Sequence, residues 1–395
     1  MKYIVIVPDG MSDYPLDDLD GQTPLQAAET PNMDGLARAG TVGTVTTIPE
    51  DMPPGSDIAN LSILGYDPTR YYSGRGPLEA VAMDINLEER DVAFRCNLIT
   101  SDGKRLVDFA AGHVPTEDAR QLIELIDSKL GSGTRKFFPG VSYRHLLVWA
   151  DGPMDLETTP PHDVVGSPLP DVFPVGERDD AIRQMIYDSM ELLDEHEINA
   201  RRRGEGLNPA NMIWPWGHGR RPNLPSLFST YGLQGATISA VDLIKGIGKA
   251  AGMRHIEVPG ATGYLDTDYA AKAQYAAAAL HEYDFVYLHI EAPDEAGHLG
   301  DVEEKIRAIE QIDARVVSRI VAELDTLDAH RLLLLPDHAT PISVRTHVAD
   351  PVPFVVVPAL PGHQDRRAGG FFEEAARSTG LHVGFGHELM ELFVA

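Results

Sequence analysis

Three aspartates and three histidines in this sequence recur in a pattern that suits metal binding. Each aspartate ends a short apolar run, and the histidines follow two of the aspartates closely or lie a short way downstream. The set consists of Asp9, Asp294, Asp337, His298, His338 and His347. Carboxylate oxygens and imidazole nitrogens are donors for Zn²⁺, Mn²⁺ or Fe²⁺, and a set without thiolates argues against a structural zinc finger. Six such residues are enough to hold two metal ions.

Each of these residues also has an ordinary structural interpretation. An aspartate after a strand usually caps a turn or a helix, and a histidine beside an aspartate is usually only its hydrogen-bonding partner. That interpretation gives no reason why carboxylates at the ends of three strands should occur together with histidines close to them in the sequence. We therefore favour a metal site.

Ser56 is the candidate nucleophile. It follows Gly55 and is predicted to open a helix that runs through residues 61–64. A serine at this place is commonly an N-cap, which is the structural alternative. A helix N-terminus also stabilises negative charge, and a neighbouring metal ion lowers the pKa of a hydroxyl as it does that of bound water. Together these effects would make Ser56 a nucleophile suited to phosphoryl transfer, in which cations stabilise charge on the phosphoryl oxygens.

The elements that must position these residues are predicted to form an α/β sheet. The apolar runs before the three aspartates have the length and continuity of central strands covered on both faces. Between the last two runs, residues 302–327 carry apolar side chains at helical spacing, which predicts a strand–helix–strand unit and a mainly parallel sheet. Ligands bind beyond the carboxyl ends of the strands in such sheets, and the three aspartates would meet there.

The middle of the chain has a different pattern, which predicts a smaller α+β domain inserted into the first. Residues 92–100 and 142–150 alternate like half-buried strands, and a proline-rich stretch at 158–174 follows them. The predicted domains are 1–86 with 228–395, and 87–227. Further predicted helices are 30–39, 116–130, 178–195 and 268–281, and further predicted strands are 236–241, 255–258 and 353–357.

Composition and charge narrow the classes of function. The 395 residues include 33 Lys and Arg against 60 Asp and Glu, and the net charge of −27 repels nucleic acid and anionic membranes. The one cysteine, Cys96, excludes an internal disulfide. No apolar stretch approaches the roughly 20 residues needed to span a bilayer, and the N-terminus shows no signal-peptide pattern. We expect a cytoplasmic protein with no nucleic-acid or membrane partner.

Seven segments of the chain carry a family resemblance. They are residues 8–11, 30–33, 54–57, 65–68, 292–298, 336–341 and 346–353. Together they resemble the alkaline phosphatase superfamily and, within it, the archaeal-type cofactor-independent phosphoglycerate mutases. The resemblance implies an alkaline-phosphatase-like, mainly parallel sheet with an inserted cap domain that closes over the site and binds substrate. It also implies two divalent metal ions, with Mn²⁺ expected and Mg²⁺, Co²⁺ or Zn²⁺ as alternatives.

The same resemblance implies a role for each candidate ligand. One metal ion would be held by Asp9, Ser56, Asp337 and His338. The other would be held by Asp294, His298 and His347. Ser56 would be the residue that is transiently phosphorylated.

Basic residues are the implied substrate contacts, although an arginine is more often only a solvated surface charge. His113 resembles the family's phosphate-contacting histidine, and Lys245 resembles a catalytic lysine that reaches the phosphoserine. Arg75 lies between glycines in a predicted tight turn, and Arg144 lies on a predicted strand, where burial would require an anion partner. Arg202 belongs to a run of three arginines that would attract anions.

The leading hypothesis is interconversion of 3-phosphoglycerate and 2-phosphoglycerate, so that the partner is a small phosphorylated acid. Three alternatives stay open at this point. One is a homoserine kinase of the same family branch, which needs ATP, and another is a phosphatase or phosphonate hydrolase with the same metal site and a different cap. A non-catalytic metal-binding protein is disfavoured because the ligands and the nucleophile occur together.

Overall fold

A computed structural model describes residues 1–176 and 178–395. The strands of the described residues are, in chain order, β1 Lys2–Pro8, β2 Thr41–Val45, β3 Asp91–Ser101, β4 Leu106–Asp108, β5 Arg135–Phe138, β6 Arg144–Ala150, β7 Leu156–Glu157, β8 Val175–Gly176, β9 Met212–Gly219, β10 Gly235–Ile238, β11 Arg254–His255, β12 Phe285–Ile290, β13 His330–Leu334, β14 Val352–Val357 and β15 His382–Val383. The chain divides into two compact units, Met1–Tyr72 with Asn223–Ala395, and Ser73–Pro222.

The α-helices are numbered in the same way. They are α1 Pro24–Ala27, α2 Pro31–Ala39, α3 Ser56–Ile63, α4 Pro68–Tyr71, α5 Arg75–Ala82, α6 Thr116–Leu130, α7 Leu169–Val172, α8 Asp179–Leu193, α9 Glu197–Gly204, α10 Leu227–Tyr231, α11 Asp242–Ala250, α12 Tyr269–Glu282, α13 Ala292–Leu299, α14 Val302–Gln311, α15 Ser318–Leu324, α16 Glu373–Ser378 and α17 Gly386–Val394. Short 3₁₀ turns cover Asp17–Leu19 and Pro161–Val164, and a π-helical turn covers Ile312–Val317. No helix of the described ranges combines the length and the apolar character needed to cross a bilayer.

The larger unit contains an eight-stranded sheet in the order β11-β10-β12-β1-β13-β14-β2-β15. Its first five strands run parallel to one another, whereas β14 is antiparallel to both of its neighbours. Val5 of β1 pairs with Tyr287 of β12 on one side and with Leu333 of β13 on the other. The three apolar runs are therefore adjacent central strands, and the predicted α/β class with a mainly parallel sheet is confirmed.

The two faces of β12 have different surroundings because successive side chains of a strand point to opposite faces. Val286 and Leu288 pack in a core with apolar residues of α2, α12 and α14. Tyr287 faces the other way and donates a hydrogen bond to Asn60 of α3, with 2.5 Å between the oxygens. His289 lies on the same face of β12 as Tyr287. Of these two polar rings, that of Tyr287 bonds to α3, the helix that begins at Ser56.

The helix predicted at 302–327 forms as α14, the π-helical turn and α15 in succession. The turn holds Asp313, whose carboxylate accepts hydrogen bonds from the main-chain nitrogens of Asn32 (3.2 Å) and Met33 (2.7 Å) at the start of α2. These bonds satisfy main-chain donors that every helix N-terminus leaves free. Segment 30–33, one of the segments that carry the family resemblance, thus has a structural role.

The smaller unit is built on an antiparallel sheet in the order β4-β3-β6-β5, with β9 also paired to β3. Helices α6 and α8 contribute to its apolar core, which includes the fully buried Cys96 of β3. Helix α5 belongs to this unit and packs on β3 and β9. It does so closely, since a Cβ at Gly76 would come within 2.5 Å of the Ala93 main-chain oxygen. The sequence-based boundary after residue 86 had assigned α5 to the sheet domain.

One local prediction differs from the structure. The strand expected at 255–258 is reduced to β11, which covers only Arg254–His255. The proline-rich stretch 158–174 contains a 3₁₀ turn and α7, each with a proline in its first two positions. Proline is favoured there because the first turn of a helix does not use its main-chain N–H.

Candidate metal centre and nucleophile

The predicted aspartates lie together beyond the carboxyl ends of three adjacent strands. Asp9 directly follows β1, Asp337 follows β13, and Asp294 lies in the first turn of α13, which follows β12. Their exposed fractions are 0% for Asp9, 0% for Asp337 and 4% for Asp294. The parallel register of β12, β1 and β13 brings residues that are hundreds of positions apart in the chain to one edge of the sheet.

One group of ligands converges on the Nε2 atom of His338. This atom lies 3.0 Å from Ser56 Oγ, 3.4 Å from Asp9 Oδ1 and 3.5 Å from Asp337 Oδ2. These are separations between neighbouring ligand atoms of one ion when each ligand lies about 2.0–2.2 Å from the metal. The structure brings together the four residues that were expected to share a metal.

A second group consists of Asp294, His298 and His347. Residues 294 and 298 are four apart on α13, so they lie on the same helix face. His298 Nε2 is 3.2 Å from Asp294 Oδ2 and 3.0 Å from His347 Nε2, and His347 Nε2 is 3.5 Å from Asp294 Oδ1. The other ring nitrogen of His298 lies 3.0 Å from the Arg345 main-chain oxygen, to which it donates, and this leaves Nε2 available as a ligand.

The charge of this region fits a divalent cation. Burial, together with the nearby Asp337 and Asp294, raises the pKa of Asp9 well above its usual value. Burial and Asp294 raise the pKa of Glu291 to about 8. Burial would also raise the pKa of Asp294, but His347 and His298 hold it well below its usual value. Both carboxylate oxygens of Asp9 are buried without a hydrogen bond of good geometry among the described residues, although histidine nitrogens lie 3.0 and 3.4 Å away. Such groups are stable inside a protein only when paired or bound to a metal.

Ser56 is the first residue of α3 and not its cap. Gly55 occupies the N-cap position, and a Cβ there would come within 2.7 Å of Asp57 Oδ1. The Ser56 hydroxyl instead faces His338 at 3.0 Å. The interpretation of Ser56 as a helix cap is therefore wrong, and its oxygen lies at a helix N-terminus within the cluster of candidate metal ligands.

Sequence reasoning missed several residues of this region. Asn60, one turn after Ser56, donates to Asp337 Oδ2 and to the Ser56 main-chain oxygen, both at 2.8 Å. His289 Nε2 lies 3.0 Å from Asp9 Oδ2, and His289, Asp9 and Asp337 form a further set of donors that could hold an ion. Both residues are polar side chains within otherwise apolar segments, and this was the signal available in the sequence.

Lys245 lies on α11 of the larger unit. Its ammonium is 3.4 Å from a carboxylate oxygen of Asp242 and 3.4 Å from one of Glu257. No hydrogen bond or ion pair among the described residues joins it to Ser56. The catalytic role expected for Lys245 stays a prediction.

In the smaller unit, two of the predicted arginines surround a buried glutamate. Arg75 is the first residue of α5, so the predicted tight turn at this place is wrong; Gly74 supplies the positive φ of 105° that precedes the helix. Arg75 Nε lies 3.2 Å from Glu79 Oε1, and Arg95 pairs with the same oxygen. Burial would raise the pKa of Glu79, but Arg95, Arg75 and Arg144 hold it below its usual value.

The arginine cluster is defined as Arg75, Arg95 and Arg144 around Glu79. Arg144 begins β6 and stacks over the Tyr143 ring at 5.1 Å. Burial and Arg95 together lower the pKa of the adjacent His145 to about 3. Arg95 was not predicted as a site residue. The feature of the sequence that could have indicated it is a charged residue in the middle of the apolar strand β3.

His113 is presented by a loop of unusual backbone conformation. The φ angles of Ala111, Gly112 and His113 are 49°, 59° and 50°, which is left-handed at three successive residues. Asp108 accepts hydrogen bonds from the loop nitrogens of Ala110 (2.8 Å) and Gly112 (2.6 Å). Such conformations cost energy and persist only where surrounding contacts enforce them.

Arg202 supports the same loop from below the surface. It is 2% exposed, and its guanidinium donates to the main-chain oxygens of Ala111 at 2.8 Å and Asn208 at 2.9 Å. Because these donors are used within the protein, the geometry supports a role in holding the loop that carries His113. A direct contact between Arg202 and substrate stays a prediction.

Comparisons with known proteins bear on the identity of the chain. A sequence model described as 2,3-bisphosphoglycerate-independent phosphoglycerate mutase matches residues 37–199. A protein from Methanothermobacter thermautotrophicus named 2,3-bisphosphoglycerate-independent phosphoglycerate mutase 2 is 52% identical over 396 residues, which cover 100% of this chain and 97% of the relative. The chain belongs to this mutase family.

Solved structures agree with membership of the mutase family. The cofactor-independent phosphoglycerate mutase from Thermoplasma acidophilum is 28% identical with a TM-score of 0.64, and the match covers 100% of this chain and 99% of that one. A protein structure from Pyrococcus horikoshii is 31% identical with a TM-score of 0.82 and coverages of 99% and 96%. The family inferred from the sequence motifs is thus confirmed. This mutase-family enzyme carries donor groups suited to divalent metal ions.

Proposed function

We propose that this chain interconverts 3-phosphoglycerate and 2-phosphoglycerate, with Ser56 as the transient acceptor of the phosphoryl group. The observation that carries the proposal is the position of the Ser56 hydroxyl, 3.0 Å from His338 Nε2 within a buried cluster of carboxylates and imidazoles. The full-length identity of 52% to a named phosphoglycerate mutase supports the choice of substrate.

The proposal includes two divalent metal ions, with Mn²⁺ expected and Mg²⁺, Co²⁺ or Zn²⁺ as alternatives. Asp9, Ser56, Asp337 and His338 would hold one, and Asp294, His298 and His347 the other. When bound, the ions would lower the pKa of the serine hydroxyl and neutralise charge on the phosphoryl oxygens. Oxygen and nitrogen ligands without thiolate suit these ions.

The residues of the chain account for the bonds made and broken. The Ser56 hydroxyl gives up its proton, its oxygen forms a bond to phosphorus, and the bond from phosphorus to one glycerate oxygen breaks; that glycerate oxygen takes up a proton, so the step needs no net proton. Glycerate now has a free hydroxyl at that position and remains bound in the site. Its other hydroxyl then loses its proton and attacks the phosphoserine, the bond from phosphorus to the Ser56 oxygen breaks, that oxygen takes up a proton, and the isomer is released. The N-terminus of α3 favours the negative charge that gathers at Ser56.

Retention of glycerate requires cationic groups, because the substrate carries a carboxylate and a phosphate. The arginine cluster places three guanidiniums near one another, and bidentate arginine contacts bind carboxylates and phosphates well. We assign Arg75, Arg144 and His113 to substrate binding, with Arg95 added to them. Arg202 is assigned to the support of the His113 loop, and Lys245 to the phosphoserine. We also propose that the enzyme acts in the cytoplasm.

A doubly labelled substrate tests the proposal. Purified enzyme with Mn²⁺ and no ATP is given 3-phosphoglycerate labelled in both carbon and phosphate, mixed with an unlabelled pool. The expected product is 2-phosphoglycerate that keeps both labels in one molecule. Release of inorganic phosphate would indicate a hydrolase instead, and reaction only with ATP and homoserine would indicate a kinase.

A further inference from the structure

The hydroxyl of Thr340 connects the two groups of ligands. Thr340 Oγ1 lies 2.5 Å from Asp294 Oδ1 and 3.2 Å from His338 Nδ1. Asp294 belongs to the group with His298 and His347, whereas His338 belongs to the group with Ser56. All three residues of this connection are buried. A single side chain is therefore within hydrogen-bond distance of both groups.

The direction of each hydrogen bond follows from the chemistry of the partners. An ionised carboxylate only accepts, so the Thr340 hydroxyl donates its one proton to Asp294. Its oxygen is then left as the acceptor for a proton on His338 Nδ1. A neutral imidazole with its proton on Nδ1 has a free electron pair on Nε2, the atom that faces Ser56, Asp9 and Asp337.

Thr340 is itself held in place by the main chain around it. Its nitrogen donates to the Ser12 main-chain oxygen at 3.2 Å, and its carbonyl oxygen accepts from Lys305 Nζ at 2.8 Å. Lys305 is fully buried and pairs with Asp13 at 2.7 Å. On the other side, a Cβ at Gly297 would come within 2.5 Å of the Thr340 carbonyl oxygen. The position of the hydroxyl is therefore set by the fold.

We propose that Thr340 is a positioning residue shared by both metal groups, so that one hydroxyl sets the affinity for divalent cations at two positions. The inference rests on the metal assignment proposed above. Removing the hydroxyl leaves the His338 Nδ1 proton without an acceptor and leaves Asp294 without the donor that orients it. Loss of such an outer partner typically weakens metal binding about 10–100-fold.

The test is the affinity of the metal-free protein for Mn²⁺, measured by calorimetric titration of Thr340→Val and Thr340→Ser. Thr340→Val keeps the side-chain shape without the hydroxyl, and we expect both dissociation constants to rise about 10–100-fold. Thr340→Ser keeps the hydroxyl and should bind within a few-fold of the parent. Thr237→Val, a buried threonine of β10 outside the ligand cluster, is the matched control and should bind as the parent does.

Single-group variants separate the two positions. Asp337→Asn disables the group with Ser56, and His347→Ala disables the other, so adding Thr340→Val to each reports on the position that remains. A loss at only one position, or at neither, overturns the shared role of Thr340. If Asp337→Asn and His347→Ala both bind two ions as the parent does, the metal assignment itself is wrong. Should Thr340→Val fail to fold by circular dichroism, Thr340→Ala in the same backgrounds decides the question by the same criteria.

Discussion

The two units of this enzyme arrange buried charge in different ways. At the strand ends of the larger unit, acidic side chains are clustered, and the buried oxygens of Asp9 make no hydrogen bond of good geometry among the described residues. In the smaller unit, the arginine cluster surrounds Glu79, which already pairs with Arg75 and Arg95. The acidic region is thus incomplete without cations, whereas the basic one is formed by the chain alone. This difference suits the proposed roles, because a site for a tightly bound ion can be left unbalanced, but a site for a substrate that comes and goes must be stable when empty.

The largest expected effect concerns the acidic region and its nucleophile. Ser56→Ala should lower turnover by several orders of magnitude, as the loss of a covalent nucleophile does in other enzymes. Metal bound by Asp294, His298 and His347 should remain, because that group loses no ligand. Turnover and metal content are measured on the same preparation. Ser62→Ala, a buried serine of the same helix, is the control, and near-normal turnover in Ser56→Ala would contradict the assigned role.

The next prediction concerns the basic region. Glu79→Gln leaves the buried Arg95 without a counter-ion, and breaking a buried pair in this way costs about 3–5 kcal/mol of stability. Denaturant unfolding of the variant measures this loss. Glu304→Gln removes the partner of Arg307, which is 63% exposed at its side chain, and should cost less than about 1 kcal/mol. Equal losses in the two variants would show that the arginine cluster is not preformed by Glu79.

Added Mn²⁺ should bind to the acidic region and stabilise the folded protein. Binding to the folded state alone stabilises it by about 2.7 kcal/mol when free Mn²⁺ is about 100 times its Kd. Calorimetric scans with Mn²⁺ and with a chelator should therefore differ in melting temperature. The Asp337→Asn variant should gain less from Mn²⁺ than the parent. An identical gain in both would remove Asp337 from the ligands.

The smallest effect is expected where Arg202 supports the His113 loop. Lysine cannot reproduce the two bonds that the guanidinium makes to the oxygens of Ala111 and Asn208, and one buried acceptor left unpaired costs about 1–2 kcal/mol. We expect Arg202→Lys to lose that much stability and to raise KM several-fold with little change in kcat. The neighbouring Arg201 pairs with Asp118 at the surface, so Arg201→Lys should leave the stability and the KM unchanged.

The same contrast explains what could be predicted from the sequence. Asp9, Asp294 and Asp337 could be found because each follows a continuous apolar run, and parallel strands deliver their carboxyl ends to one edge. Thr340 could not, since a threonine acquires such a role only from the neighbours that folding supplies, and the polar Asn60 within an apolar segment marked a position without revealing its partners. The turn predicted at Arg75 was wrong for a related reason. A glycine with positive φ can precede a helix as well as form a turn, and packing on β3 favours the helix.

Cys96 offers a practical consequence of the way β3 is buried. Its side chain has no exposed surface, and burial raises the pKa of its thiol far above the usual value, so little thiolate forms at neutral pH. The parent protein should therefore react slowly with maleimides. A cysteine introduced at an exposed position in either unit would then be labelled selectively, and fluorophores or spin labels could report on each unit without first removing the natural thiol.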